Sequence, residues 1–156
     1  MKKIKLVISD LHLGKGRRAE GMINPLEEFY FEDKLVEFLD FYSSGKYRDY
    51  DVELVINGDF LNFLQVDYKE HFLTVITEDV AHAVLVDILD GQDKVFKAFR
   101  NFLSLPHRSI VYIVGNHDQA MLWPKLRATF NDRVGGTVKF KNIAYNFDGV
   151  HIEHGH

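Results

Sequence analysis

Three short apolar runs, separated by long segments of helical pattern, constrain the fold of this chain more than any other feature. The runs are IKLVIS at 4–9, VELVIN at 52–57 and SIVYIV at 109–114. Each has the length of a strand, and each ends abruptly in polar residues, as buried strands do. Strands that alternate with helices form a parallel sheet. The sequence therefore predicts an α/β fold built on a parallel sheet.

The segments between these runs have helical features. Apolar residues at helical spacing follow Asn24 and Pro25, which are typical of a helix start. Residues 78–105 also have a helical pattern, with a predicted break near Gly91. Because the stretch 65–105 is long for one connection, it is predicted to be a helical insertion that could form a lid over a site.

The part of the chain after the third run has a mixed pattern. A helix is expected from about 119 to 130. The alternation in TVKFKNIAYNF, at 137–147, predicts an antiparallel hairpin that turns near Asn142. GVHIE, at 149–153, predicts one more short strand.

Composition excludes several classes of function. The formal net charge of −4 argues against bulk binding of nucleic acid, which relies on a basic face. Cysteine is absent, so disulfides, thiolate zinc sites and thiol nucleophiles are excluded. No apolar run approaches the roughly 18 residues of a membrane-spanning helix, and the short N-terminal run does not fit a secretory signal. A cytoplasmic protein is expected.

Acidic residues, histidines and amides follow four of the predicted strands, the three apolar runs and the final strand. They are Asp10 and His12 after the first, Asp59 and Asn62 after the second, Asn116, His117 and Asp118 after the third, and His154 and His156 after the last. The carboxyl ends of parallel strands meet at one edge of a sheet, where ligands bind. Carboxylate, imidazole and amide donors suit Mn²⁺, Fe or Zn²⁺ better than Ca²⁺. Their number exceeds what one ion needs and predicts a two-metal site.

Each of these motifs also has an ordinary interpretation when it is taken alone. An Asp after a strand is commonly a turn or capping residue, and GNHD at 115–118 fits an Asx turn before a helix equally well. His71, His82 and His107 are expected to be surface or core-edge residues. The metal hypothesis rests on ligand-type residues after all four strands together.

The motifs D-x-H, GD-x-x-[DN] and GNH-[DE], at Asp10, Asp59 and Asn116 in this order, resemble those of the calcineurin-like metallophosphoesterase superfamily. The similarity spans nearly the whole chain, from Asp10 to His156. It implies an α/β/β/α sandwich that holds two divalent metal ions, Mn²⁺ first of all and otherwise Fe, Zn²⁺ or Ni²⁺. It also implies a phosphomonoesterase or phosphodiesterase in which a hydroxide that bridges the ions attacks phosphorus.

The resemblance assigns roles to individual residues. It places Asp10 and His12 on the first ion and Asp59 on both ions. It places Asn116 and His154 on the second ion.

Further roles concern the substrate, which is expected to be a phosphorylated small molecule or a nucleotide-like compound. By resemblance, Asn116 and His117 contact the phosphate, and His117 protonates the leaving group while Asp118 orients its ring. Asn62 is expected to be structural. Arg17 and Arg18, in the KGRR loop beside the predicted metals, could bind a further phosphate, although a solvated loop is an equal alternative.

One departure from the family pattern concerns its last motif, typically G-H-x-H. EHGH, at 153–156, fits the fourth motif better, with His154 as its ligand, because Glu153 stands where a glycine would be needed. The whole chain is then predicted to be one metallophosphoesterase domain, an N-terminal portion that is incomplete in its second sheet.

Two rival functions remain open at this point. A catalytically incompetent fragment or metallophosphoesterase-fold scaffold is the first. A hydrolase with one zinc ion on His151, His154 and His156 is the second, although strand alternation puts His151 and His154 on opposite faces.

Overall fold

The structure is a computed structural model that describes residues 1–19, 21–72 and 74–156. In chain order the strands are β1 (Lys3–Ile8), β2 (Arg18–Ala19), β3 (Met22–Ile23), β4 (Asp51–Asn57), β5 (Arg108–Ile113), β6 (Lys139–Lys141), β7 (Ala144–Phe147) and β8 (Val150–Glu153). The α-helices are α1 (Glu32–Ser43), α2 (Glu78–Gly91), α3 (Asp93–Ser104) and α4 (Pro124–Val134). Short 3₁₀ helices cover Gly45–Tyr47 and Gln119–Leu122.

The centre of the fold is a four-stranded parallel sheet in the order β1-β4-β5-β6. The three apolar runs of the sequence form its first three strands, each within one residue of the predicted bounds. Helices connect the strands, so the predicted α/β class is confirmed. The carboxyl ends of β1, β4 and β5 therefore meet at one edge of the sheet.

One face of the sheet carries the main hydrophobic core. Leu54 and Ile56 of β4 and Tyr112 of β5 are fully buried there with the apolar residues of the helices. The residues between them along the strands point to the opposite face, because side chains alternate in a strand.

The opposite face is covered by an antiparallel hairpin of β7 and β8. Val55, Val111 and Ile113 of the sheet are buried against Tyr145 and Ile152 of this hairpin. The hairpin therefore brings the residues that follow β8 close to the carboxyl edge of the sheet.

The helices of the segment 65–105 belong to the core. The break predicted near Gly91 is confirmed, since α2 ends there and α3 begins at Asp93. The suggestion of a lid is wrong for α2 and α3, because residues such as Leu85 and Phe99 are fully buried in the core. In the described parts of the chain, no helix combines the length and the apolar character that crossing a lipid bilayer requires.

The helix predicted to begin at Pro25 instead begins at Glu32. The side chain of Asn24 accepts a hydrogen bond from the N–H of Leu26 and forms a turn. Glu27 is buried and its carboxylate accepts hydrogen bonds from the N–H groups of Gly14, Gly16 and Phe29. These hydrogen bonds hold the segment against the loop after β1 and satisfy the buried carboxylate. The residues before Glu32 therefore take this turn conformation and not a helical one.

The hairpin predicted to turn near Asn142 is also placed differently. Residues 139–141 join the parallel sheet as β6, because Phe140 packs against the core aromatic rings of Tyr112 and Phe130. The antiparallel turn lies at Asp148 and Gly149, which both have positive φ. Such backbone conformations are those of a tight two-residue hairpin turn.

A polar cluster joins this hairpin to the sheet. Glu53 of β4 accepts hydrogen bonds from Lys5 and from the hydroxyl of Tyr145, the latter at 2.9 Å. Burial raises the pKa of Glu53, but the hydrogen bonds from Lys5 and Tyr145 outweigh burial and hold the pKa below its usual value of 4.5. The ionised carboxylate therefore stabilises the docked hairpin.

Glu53→Gln is expected to lower the free energy of unfolding by about 1 kcal/mol near neutral pH. Because the folded-state pKa lies below the unfolded one, this stabilisation is present above pH 4.5 and is lost as the pH falls through the folded-state pKa. Urea unfolding of both proteins along an acid series measures this. Glu37→Gln, in the exposed pair with Lys34, is the control and should change stability little. Equal effects of the two substitutions would contradict the prediction.

Candidate metal centre

The loops after β1 and β4 run side by side beyond the ends of their strands. The N–H of Asp10 donates to the carbonyl of Gly58 at 3.2 Å, and the N–H of His12 donates to the carbonyl of Asp59 at 2.9 Å. These bonds continue the pairing of the two strands into the loops. As a result, the DLH and GD motifs lie next to each other at the edge of the sheet.

Three of the predicted ligands have an unusual backbone conformation. Asp10, His12 and Asp59 have φ values of 56°, 50° and 50°, in the left-handed region. Residues other than glycine are uncommon there, and such strain gathers at functional sites because the surrounding structure imposes it. This edge of the sheet is therefore marked by backbone strain as well as by ligand-type side chains.

His154 reaches the same place from the hairpin. The side-chain amide of Asn57 donates to the carbonyl of Glu153 at 3.1 Å, and Nδ1 of His154 contacts the carbonyl of Asn57 at 2.9 Å. Gly58 has a φ of 78°, and an added Cβ would collide with the His154 ring. The glycine of the GD motif is therefore required for the approach of His154.

The side chains gather into two groups that have Asp59 in common. One group is His12, Asp59 and His117, and the other is Asp10, Asp59 and His154. Within each group the potential ligand atoms lie within 4.8 Å of one another. The convergence predicted from the four strand ends is thus present, with Asp59 at its centre.

The partition of the ligands differs from the expected one. The resemblance implies that Asp10 and His12 bind one ion, whereas the structure places Asp10 with His154 and His12 with His117. The same-side rule for D-x-H holds for an extended backbone, and both residues are left-handed instead. Their side chains therefore diverge towards different groups.

The surroundings of His154 favour a cation. Its Nδ1 faces the carbonyl of Asn57, which can only accept, so Nδ1 carries the ring proton. Nε2 then presents a lone pair, yet it lies 3.2 Å from Oδ2 of Asp59 and 3.2 Å from Oδ1 of Asn116. Three electron-rich atoms thus converge on one point, an arrangement that can hold a divalent metal ion.

His12 has a similar arrangement on the other side of Asp59. Its Nε2 lies 3.8 Å from Oδ2 of Asp59, too far for a hydrogen bond. Ligands held at about 2.0–2.2 Å by one ion lie up to roughly 4 Å apart, so this spacing fits a metal site. Nδ1 of His12 is buried and has no hydrogen-bond partner among the described residues, and its nearest carboxylate is Glu28 at 3.9 Å. The sequence pattern did not single out Glu28.

The ring of His117 is oriented by Asn62, and the prediction that Asp118 does so is wrong. Nδ1 of His117 lies 3.0 Å from Oδ1 of Asn62. The same oxygen accepts the backbone N–H of Gln65 at 3.2 Å, which identifies it as the acceptor atom. Nδ1 therefore donates to Asn62, and Nε2 is left to face the site. His117 and Asn62 are 55 positions apart in the sequence and meet only in the folded structure, so the order of residues around His117 does not reveal this contact.

Asp118 instead stabilises the loop after β5 from its buried side. It is fully buried, and its carboxylate accepts hydrogen bonds from the hydroxyl of Tyr112 at 2.6 Å and from the N–H groups of Phe60 and Gly115. Burial raises the pKa of Asp118, and burial also raises the pKa of Tyr112 well above its usual value. An added Cβ at Gly115 would collide with Asp59, so the loops at the ends of β4 and β5 are in close contact.

Asp118→Ala is expected to lower the free energy of unfolding by about 3 kcal/mol or more, because three buried donors lose their acceptor and each costs roughly 1–3 kcal/mol. The midpoint of urea unfolding measures the loss. Asp132→Ala, at an exposed position of α4, is the matched control and should stay within about 0.5 kcal/mol of the parent. A loss below about 1 kcal/mol for Asp118→Ala would contradict the structural role of this carboxylate.

The predicted phosphate-binding arginines are not brought into this cluster by any described contact. The guanidinium of Arg17 pairs with Glu32 at 3.3 Å and donates to the carbonyl of Tyr30. The side chain of Arg18 lies outside the described part of the structure. His156 is exposed, and its ring centroid lies 5.3 Å from that of His154.

Comparison of the chain with models of known protein families and with curated proteins gives no match.

Proposed function

We propose that this protein is a two-metal-dependent phosphoester hydrolase of the calcineurin-like metallophosphoesterase type. The observation that carries the proposal is the membership of Asp59 in both ligand groups. A carboxylate common to two groups can bridge two ions, which is the arrangement of two-metal hydrolytic sites.

The donor set fits divalent cations. His12 and Asp59 would hold one ion, with Asp10, His154 and again Asp59 at the other, while His117, the third member of the first group, is left to act on the substrate. Asn116 adds an amide oxygen 3.2 Å from Nε2 of His154. Oxygen and imidazole donors without thiolate favour Mn²⁺, with Fe, Zn²⁺ and Ni²⁺ as alternatives. Two such ions, when bound, would activate water and neutralise the charge of the phosphate oxygens.

The protein's own residues supply orientation and proton transfer in this proposal. His117 gives a proton to the departing alkoxide, a role that is worth about 10²–10⁴-fold in rate. Since Nδ1 of His117 is held by Asn62, the transferable proton is on Nε2, which faces the site. His117 is a member of a ligand group and is also the proton donor proposed here. The metal content of a His117→Ala variant distinguishes a ligand from a proton donor.

The fold supports the same assignment. Helices cover one face of the parallel sheet, and the β7–β8 hairpin covers part of the other. We assign this hairpin to the second sheet of an α/β/β/α sandwich, in which the site lies at the edge between the two sheets.

The proposal is tested by metal analysis of the purified protein, followed by hydrolysis of bis-p-nitrophenyl phosphate and p-nitrophenyl phosphate with and without Mn²⁺. Bound ions and Mn²⁺-dependent turnover are expected, and the two substrates separate diesterase from monoesterase activity. Absence of turnover with every divalent cation, in protein that binds ions, would favour the rival scaffold function.

Asn62→Ala is expected to slow turnover of esters with poor leaving groups by about 10–100-fold, the usual cost of losing an orienting partner. Esters with good leaving groups should be affected less, because they need little protonation. Asn62→Asp retains an acceptor oxygen and should keep more activity than Asn62→Ala. Gln65→Ala removes an exposed side chain that contacts Asn62 and is the control. An equal loss on both classes of ester would contradict the orienting role.

A further inference from the structure

A pocket of about 370 Å³ opens directly beside the candidate metal centre. Its wall is largely apolar and includes Phe63, Leu64, Ile76, Leu122 and Trp123. This volume lies within the range of pockets that bind small molecules. Among the described residues that line it, none is an acidic side chain, a lysine or an arginine. The pocket therefore suits an uncharged and apolar group.

The pocket and the metal centre have residues in common. Asn116 and His117 line the pocket, while His117 also belongs to one ligand group and Asn116 contacts His154 of the other. The N–H of Phe63 donates to the carbonyl of His117 at 3.2 Å, which ties the pocket wall to the same loop. A ligand that extends from the metal centre past His117 would therefore enter this pocket.

The rim of the pocket carries apolar side chains that face solvent. Leu64 is 53% exposed and Leu122 is 47% exposed, whereas Phe63 beside them is 5% exposed. Covering such side chains with an apolar group removes their surface from water and is favourable in free energy.

We propose that this pocket binds the apolar alcohol portion of a phosphoester as the leaving group, an inference that rests on the proposed hydrolase function. In the reaction, water oxygen bonds to phosphorus and the bond between phosphorus and the alcohol oxygen breaks. That oxygen leaves with the electron pair and takes the proton from His117. The water oxygen stays on the phosphate as a hydroxyl group, and its other proton passes to solvent, from which His117 regains a proton. The proton donor must face the leaving oxygen, and His117 forms part of the pocket wall, so the alcohol side of the ester occupies the pocket. The substrate class is a phosphate ester of an alkyl or aryl alcohol.

A nucleotide is a poorer fit to the same pocket. A base requires several hydrogen-bonding groups on its edge, and burial without partners is costly. Apart from the Asn116 and His117 end, the described lining offers the side-chain amide of Gln119 and the indole N–H of Trp123 as its polar groups, fewer than the edge of a base requires. Nucleotide esters therefore serve as the competing substrates in the test.

The chain's single tryptophan, Trp123, lines the pocket and reports its occupation without any turnover. Protein loaded with Mn²⁺ is titrated with ethyl-, butyl- and hexylphosphonate, which resemble the substrates and are not hydrolysed, while Trp fluorescence is followed. Each added methylene is expected to tighten binding by up to about fourfold, so hexylphosphonate should bind on the order of 10²-fold more tightly than ethylphosphonate.

Leu122→Gln is expected to reduce this dependence on chain length. Leu105→Gln, at a leucine that is 38% exposed at the end of α3, should leave it unchanged. Equal binding of all three phosphonates, or an equal loss in both variants, would overturn the pocket assignment.

Rates with ethyl phosphate, hexyl phosphate and a nucleoside monophosphate separate this inference from the proposed function. A preference for hexyl phosphate supports both. Hydrolysis without preference, or with preference for the nucleotide, overturns the apolar pocket and leaves the hydrolase standing. Binding that depends on chain length, with no ester hydrolysed, supports an apolar ligand site in the pocket but overturns the hydrolase and the leaving-group role.

Discussion

Asp59→Asn is expected to weaken the binding of divalent cations by more than about 100-fold and to abolish turnover with it. Loss of a residue that only orients a ligand costs about 10–100-fold in affinity, and Asp59 belongs to both ligand groups itself. Asparagine keeps the shape and an acceptor oxygen for the backbone N–H of His117, which Oδ1 of Asp59 accepts at 2.9 Å. The fold should therefore survive while the negative charge that the two ligand groups have in common is lost.

Metal content and calorimetric titration with Mn²⁺ measure this effect, and circular dichroism checks the fold. Asp49→Asn is the matched control, because Asp49 is exposed in the loop before β4. Unchanged metal affinity in Asp59→Asn would remove the central residue from the site, and the two-metal proposal with it.

His117→Ala is expected to slow hydrolysis of esters with poor leaving groups by about 10²–10⁴-fold, the contribution of a positioned proton donor. Esters of p-nitrophenol should be slowed much less, because p-nitrophenolate leaves readily without protonation. The variant is expected to keep its metal ions. Rates on alkyl and p-nitrophenyl esters, together with metal content, measure these outcomes.

The metal content of His117→Ala distinguishes two roles that the geometry allows. His117 lies in a ligand group with His12, and the two ring centroids are 4.4 Å apart. Loss of one ion from the variant would make His117 a ligand and transfer proton donation to another group. His71→Ala, at an exposed histidine, is the control and should change neither metal content nor rate.

The parts of the fold that follow from local pattern were predictable. The three apolar runs became adjacent parallel strands, and their polar ends converged because parallel strands terminate at one edge. The break between α2 and α3 was also predictable, because a glycine interrupts the helical pattern at position 91.

Other features depend on contacts that a local pattern cannot contain. The late start of α1 results from buried Glu27, whose carboxylate is satisfied by N–H groups of the loop after β1. Asp118 follows His117 in the chain, yet the ring contacts Asn62, and the carboxylate contacts Tyr112. In both cases a buried polar group found its partner through tertiary packing, which a single sequence does not specify.

The docking of the β7–β8 hairpin has a consequence for the order of folding. The contact of His154 with Asn57 joins residues that are 97 positions apart in the sequence. Closing such a long loop costs conformational entropy, so this contact is expected to form after contacts between residues that are closer in the sequence. The strand pairing of the parallel sheet and its packing against the helices can form beforehand, since these contacts do not involve the hairpin. The ligand group that contains His154 is therefore expected to be completed in one of the final events of folding, after most secondary structure is in place.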